Sequence, residues 1–282
     1  LHYLIFVSFE ALCSFQSLQE IAANVNAVAE LRTVIGESIV AQFNAEYQAS
    51  LPQDDRKRLL KLLFCAFMNA EKRVVVAALN AMVARLQSSS NKLSSIEELF
   101  LRLHAQYPGD VGCFAIFFLN YRVLQPGDAL FLGPNEPHAY LFGDCVECMA
   151  CSDNVVRAGL TPKYMDVNTL CNMLTYNDQS ILNMFLGQGE KISTSVYRYA
   201  PPVPEFMVQR IERTVGSQDE KTQFASDTLS ILLVIDAVNL DLTYTFNKQV
   251  EEQHIHVNKG DILLVPANAS VSFQKSDSLV RM

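Results

Sequence analysis

Residues 124–138, LQPGDALFLGPNEPH, lie without a gap over residues 257–271, VNKGDILLVPANASV. In each stretch a Gly-Asp pair (Gly127 and Asp128; Gly260 and Asp261) launches an apolar run, and a turn with Pro and Asn (Pro134 and Asn135; Pro266 and Asn268) follows it. Gly and Asn accept backbone angles that most side chains resist, so each stretch predicts a tight turn, a strand and a second turn. Such a unit present twice suggests two double-sheet β-barrels of the jelly-roll or cupin type. One position breaks the equivalence, because Val271 stands where the first copy has His138. If both copies are barrels, only the first keeps a side chain able to hold a metal there.

Upstream of the first copy the texture is different. From about Phe9 to Tyr107 the pattern is helical: Leu59, Leu60, Leu63, Phe64 and Phe67 recur at three- and four-residue spacing after Pro52, with Arg56, Lys57, Arg58 and Lys61 on the other face. Val75, Val76, Leu79, Met82, Val83 and Leu86 repeat the stripe until Ser88-Ser89-Ser90-Asn91 interrupts it. A third stripe, Ile96, Leu99, Phe100 and Leu103, opens on Ser94 with Glu97 three residues on, the spacing of a capping box. These stripes predict a helical bundle packing its own core, ended by Pro108-Gly109-Asp110.

Composition bounds the function. The chain of 282 residues is half hydrophobic and has room for more than one folded domain. With 22 Lys plus Arg against 30 Asp plus Glu, a formal charge of −8, it lacks the electrostatic footprint of a partner for nucleic acid or an anionic membrane. A small anionic substrate would need a local cluster of positive charge. Seven cysteines without small-scaffold spacing read as reduced thiols of a cytoplasmic protein. Runs such as Leu4 to Val7 and Leu229 to Ile235 fall far short of the about 20 residues of a membrane helix. The chain opens on Leu1 without the basic flank of a secretion signal, and we read the start as an N-terminal truncation.

The chemistry-bearing residues are unevenly spread. Of five histidines, His104 belongs to the last bundle helix and reads as structural or surface, while His254 and His256 share one face of a predicted edge strand. Cys145, Cys148 and Cys151 have a C-x-x-C-x-x-C spacing, but an extended segment sends Cys145 and Cys148 to opposite faces, which disfavours an iron–sulfur cluster. Residues 138–163 concentrate what an active site needs. There His138 is a candidate metal ligand at a barrel mouth, and Glu147 a candidate ligand or acid/base. Arg157 and Lys163 would supply the anion-binding charge that the whole protein lacks. The bland alternative is a polar rim of surface ion pairs.

Residues 138–163, HAYLFGDCVECMACSDNVVRAGLTPK, resemble the signature of the type I mannose-6-phosphate isomerases over 26 residues without a gap. Segments YPGDVGCFAIFFLN (107–120), DVNTLCNMLTY (166–176), PPVPEF (201–206) and FEALCSF (9–15) resemble the family too, so the likeness covers nearly the whole chain beyond the first eight residues.

The resemblance implies a mixed α+β protein: a helical bundle domain inserted into a catalytic cupin (jelly-roll) barrel, followed by a second cupin-like β domain. The expected boundaries are 1–8 for the residual end of an N-terminal catalytic part, 9–112 for the helical domain, 113–190 for the C-terminal half of the catalytic barrel and 191–282 for the last domain.

The implied reaction interconverts mannose 6-phosphate and fructose 6-phosphate through an enediolate and feeds GDP-mannose synthesis. In it a zinc ion polarises the C1 and C2 oxygens. His138 would be a zinc ligand, Arg157 the catalytic arginine, and Tyr140, Glu147 and Lys163 pocket residues that meet the substrate. Arg157, permanently charged, suits stabilisation of negative charge, and Lys163 a grip on the phosphate. Tyr140 and Glu147 both remain open as the proton carrier.

The family's other zinc ligands, the Gln and His of a Gln-x-His motif and a Glu after a His-Lys-Pro motif, lie upstream of the helical region and have no counterpart here. One histidine does not build a zinc site, so this chain alone is expected to be inactive, a monomer without nucleic-acid or membrane partners. The competing expectation is an inactive fragment or paralogue that binds a sugar phosphate or another protein.

Overall fold

The computed structural model describes residues 2–5, 8–152, 155–178, 184–213, 222–246, 252–273 and 280–282. They form two compact units, Leu1–Gly187 and Gln188–Met282.

The first unit opens with strands β1 (His2–Ile5) and β2 (Phe9–Phe15). Six helices follow: α1 (Leu18–Ala27), α2 (Ala29–Ile35), α3 (Glu37–Glu46), α4 (Gln53–Met68), α5 (Lys72–Gln87) and α6 (Ser95–Gln106). A 3-10 helix (Val111–Phe117) then leads into β3 (Leu119–Leu124), β4 (Ala129–Phe131), β5 (His138–Phe142), β6 (Cys145–Cys148), α7 (Val167–Met173) and β7 (Phe185–Gly187).

The apolar stripes face inward as their spacing requires: Leu59, Leu60, Leu63, Phe64 and Phe67 of α4 are buried, as are Val75, Leu79, Met82 and Leu86 of α5. Ser94 caps α6, accepting from the Glu97 amide while the Glu97 carboxylate accepts from the Ser94 amide at 2.8 Å. Residues 9–15, expected to begin the helical stretch, instead form β2. This strand is the middle one of an antiparallel sheet ordered β3-β2-β5, and all but Glu10 of its residues are buried. A strand covered on both faces shows no polar alternation, which is why its apolar run reads as helical.

The core of this unit joins sheet to helices through aromatic rings. Phe15 of β2 meets Phe64 of α4 edge-on at 5.2 Å and stacks on Tyr176 at 5.5 Å, while Phe64 also packs edge-on against Phe118 at 5.6 Å. Each such pair contributes about 0.5–1.5 kcal/mol beyond the area it buries.

Glu10, the one charged residue of β2, pairs with Arg102 of α6 and accepts from the Tyr121 hydroxyl at 2.8 Å. The Arg102 hydrogen bonds hold its carboxyl below the usual range against the opposing effect of burial, with Tyr121 adding to them. A pKa lowered by folding stabilises the protein above the unfolded value, about 4.3, and that stability is lost as pH falls through the folded value. Glu10→Gln is therefore expected to cost about 1–3 kcal/mol in urea unfolding at neutral pH. The cost should shrink toward zero in acid, and equal costs at both pH values would show that the pair contributes nothing through charge.

A second sheet of this unit is ordered β6-β1-β4-β7. The second unit is built of strands: β8 (Glu190–Lys191), β9 (Val196–Tyr199), β10 (Val208–Arg213), β11 (Thr222–Ser226), β12 (Ser230–Leu233), β13 (Leu240–Phe246), β14 (Gln253–Val257), β15 (Ile262–Val265), β16 (Ala269–Phe273) and β17 (Val280–Arg281). They pair as β17-β10-β9-β8, β11-β16-β13-β14 and β12-β15, none closing on itself among the described residues. No described helix is long and apolar enough to cross a membrane.

The two aligned stretches adopt the same local conformation. Gly127 and Gly260 have φ of 90° and 93°, and Asn135 and Asn268 have φ of 60° and 63°, all in the region that favours these residues. In the first turn the Asp128 amide donates to the Gln125 carbonyl at 2.9 Å, and its carboxylate accepts from the Gln125 amide at 2.8 Å. In the second, Asp261 makes the same two bonds to Asn258 at 3.0 and 2.7 Å. The aligned positions then diverge. His138 begins β5, an edge strand among the described residues, whereas Val271 lies 5% exposed in β16, which has a neighbour on each side.

Candidate functional site

The period-two alternation of β5 presents His138, Tyr140 and Phe142 on an exposed face, and turns Ala139 and Leu141 against the core. The His138 and Tyr140 rings lie 5.6 Å apart, and Phe9 closes the inner side of Tyr140 at 5.5 Å. Glu147 of β6 adds its charge to both His138 and Tyr140. Three of the five residues singled out by sequence thus share one neighbourhood.

His138 is open to solvent along one edge, yet protein surrounds the rest of the ring, and this desolvation lowers its pKa. A hydrogen bond to the Glu136 carbonyl and the Glu147 charge oppose the shift without cancelling it. The imidazole is therefore neutral at physiological pH, the form that binds metal. Nδ1 lies 2.9 Å from the Glu136 carbonyl, an acceptor only, so we assign the proton to Nδ1 and the lone pair to Nε2. Burial pushes the Tyr140 phenol well above its ordinary value, with Glu147 and Cys145 adding to it, so this hydroxyl keeps its proton.

Sequence reasoning quoted Glu136 without giving it a role, and the structure does. Its side chain is 9% exposed and accepts from the Ser14 hydroxyl at 2.7 Å and the Thr175 hydroxyl at 2.6 Å. Ser14, at φ 52°, sits at the irregularity where β2 shifts register against β3, and its amide donates to the Pro137 carbonyl at 2.9 Å. Asn120 reaches the Ser14 and Phe15 carbonyls at 3.2 and 2.8 Å. The turn that presents His138 is thus fixed from behind by strands on either side of the helical region. A carboxylate between two prolines in an apolar run was the available signal.

Arg157 and Lys163 lie on the exposed segment between β6 and α7, and neither forms an ion pair among the described residues. Cys145 and Cys148 fall three apart on β6 with Cys151 beyond its end, and all seven cysteines are free thiols. His254 and His256 lie on β14 at the edge of its sheet, where His256 pairs with Asp241.

For a metal the donor set is incomplete. His138 has the tautomer and exposure of a ligand, but the described residues contain no group of three or more His, Cys, Asp or Glu that could hold an ion. Zinc takes three or four protein ligands. The residues present do not by themselves make a zinc site.

Comparison with known proteins gives a consistent picture. The family model "Phosphomannose isomerase type I, helical insertion domain" matches residues 34–119. A mannose-6-phosphate isomerase from Bos taurus is 43% identical over 273 residues, covering 94% of this chain and 62% of the relative. The Homo sapiens enzyme of that name is 40% identical over 274 residues, covering 95% and 63%. A crystal structure of mannose 6-phosphate isomerase from Salmonella typhimurium, described as bound to substrate (F6P) and a zinc atom, superposes with a TM-score of 0.75 at 23% identity. That match covers 99% of this chain and 64% of the other, and at this identity it shows a shared fold. The chain spans less than two thirds of the length of these relatives.

Proposed function

We infer that the chain belongs to the type I mannose-6-phosphate isomerases, and we propose that it carries the substrate-facing part of that enzyme's site. The reading rests on one observation above the rest: a neutral His138, its Nδ1 tied to the Glu136 carbonyl, stands beside Tyr140 on the exposed face of β5, within reach of the Glu147 charge. The relatives' names supply the reaction, interconversion of mannose 6-phosphate and fructose 6-phosphate. Its metal in this reading is zinc, with His138 as one ligand and the others outside the described residues.

The chemistry assigned to this chain's own groups is proton transfer and charge stabilisation. Moving a proton between C2 and C1 needs a base, and Glu147 offers a carboxylate beside a phenol that holds its own proton. We assign Glu147 as the proton carrier and Tyr140 as a hydrogen-bond donor to the substrate. Arg157 stabilises the enediolate's negative charge and Lys163 holds the phosphate.

In architecture, we propose a catalytic cupin barrel that includes β2 and resumes over 113–190, interrupted by the helices, with 191–282 as a second cupin-like domain. The enzyme is proposed to act as a cytoplasmic monomer.

Zinc analysis after dialysis tests the assignment, comparing the 282-residue chain with a version extended to the relatives' length. The extended version is expected to retain zinc and to lose it on His138→Ala. Zinc retained equally without His138 would remove that residue from the metal site, and an extended version that retains no zinc would favour the inactive-module alternative.

A further inference from the structure

The segment that carries Arg157 and Lys163 has no secondary structure of its own, yet its course is tightly determined. Val156, Ala158 and Leu160 pack inward against the core, while Val155 and Arg157 are exposed. Beyond them Leu160 has φ 51°, a left-handed conformation that a branched side chain adopts only when its surroundings enforce it.

The enforcing group is a carboxylate some fifty residues upstream. Asp110 Oδ1 accepts from the Leu160 amide at 3.0 Å and the Gly112 amide at 2.7 Å, and Oδ2 accepts from the Thr161 amide at 3.1 Å. Three donors converge on one side chain, and the backbones meet without side chains between them. A Cβ at Gly159, whose φ is +128°, would fall 2.9 Å from the Gly112 Cα, and one at Gly112 would fall 2.6 Å from the Leu160 nitrogen. The junction between the helical region and β3 and the loop that follows β6 are therefore joined at a point that tolerates neither added bulk nor loss of the acceptor.

We infer that Asp110 is a positioning residue for anion binding: its carboxylate fixes the loop 157–163 and thereby aims the Arg157 and Lys163 charges at the substrate. The inference rests on the proposed reading of those two residues as substrate-facing. Hydrogen bonds from amides to a carboxylate are stronger than those to a neutral acceptor, so a neutral side chain at 110 weakens the hold on the two consecutive loop amides and an absent one frees both. The loop then samples more than one path, and the bound substrate bears the cost of ordering it.

The test uses the 282-residue chain, with fructose 6-phosphate as probe and backbone amide resonances as readout. Asp110→Ala is expected to speed hydrogen exchange at Leu160 and Thr161 and to weaken fructose 6-phosphate binding roughly tenfold. Asp110→Asn, which keeps one acceptor oxygen, should fall between. Because Asp110 also caps the 3-10 helix through Oδ1, Thr161→Pro, which removes the loop amide that Oδ2 accepts, serves as a second variant that disturbs the loop and leaves the Gly112 amide its acceptor. It should weaken binding too.

The discriminating readout is a double-mutant cycle. In an Arg157→Ala background the further loss from Asp110→Ala should shrink to less than about twofold, whereas independent effects would multiply. Unchanged exchange at Leu160 and Thr161, or fully additive losses, would overturn the inference while leaving the site reading intact. If Arg157→Ala itself does not change the response to fructose 6-phosphate, the site reading fails, and the inference with it.

Discussion

Arg157→Ala, made in a version extended to the relatives' length, is expected to slow turnover by about 10²–10³-fold, the size of effect seen when one charge-stabilising donor is removed from a transition state. Folding should be almost untouched, because the side chain is exposed and forms no ion pair among the described residues. Surface changes of that kind stay within about 0.5 kcal/mol. The measurement is kcat with fructose 6-phosphate beside a thermal unfolding curve of the same sample. Arg157→Lys adds a useful comparison. It keeps the charge and loses the planar fork, so it should recover part of the rate if charge is what matters and little if two-point geometry is. A rate unchanged in Arg157→Ala would take this residue out of the chemistry altogether.

Phe64→Ala should produce the largest loss of stability of any single truncation proposed for this chain, about 3–5 kcal/mol. Phe64 is 2% exposed and its ring meets Phe15, Phe118 and Tyr176 edge-on. Those partners come from β2, from the residue joining the 3-10 helix to β3 and from the stretch after α7, so the cavity cannot collapse by moving one element alone. Urea unfolding of the 282-residue chain gives the number, and a loss below about 1 kcal/mol would mean that the cluster is loosely packed.

How far the sequence could be read depended on how local the deciding physics was. The helices α4, α5 and α6 were legible because an amphipathic stripe needs only its own spacing, and the cap at Ser94 only the residue three positions on. The Gly-Asp turns were legible for the same reason. Strand β2 was not, since what makes it a strand is a partner on either side, more than a hundred residues away. The neighbourhood of His138, Tyr140 and Glu147 was found through signature likeness and chemistry. The roles of Glu136 and Asp110 were not legible because their deciding donors are distant in the chain: Glu136 accepts from Ser14 and Thr175, and Asp110, besides the nearby Gly112 amide, from Leu160 and Thr161.

The matched turns at Gly127 and Gly260 act as an internal control on what a ligand position requires. Two copies of one backbone bend deliver the next strand with equal fidelity, yet one address opens to water and the other into a packed interior where Val271 joins Phe224 and Tyr244. Writing a histidine into the second copy would thus not reproduce the exposure of His138; it would entomb an imidazole among hydrocarbons. The exposure that the proposed ligand role of His138 requires comes from the edge position of β5 among the described residues, and the bend that leads to it is only the hinge-post on which either kind of door was hung.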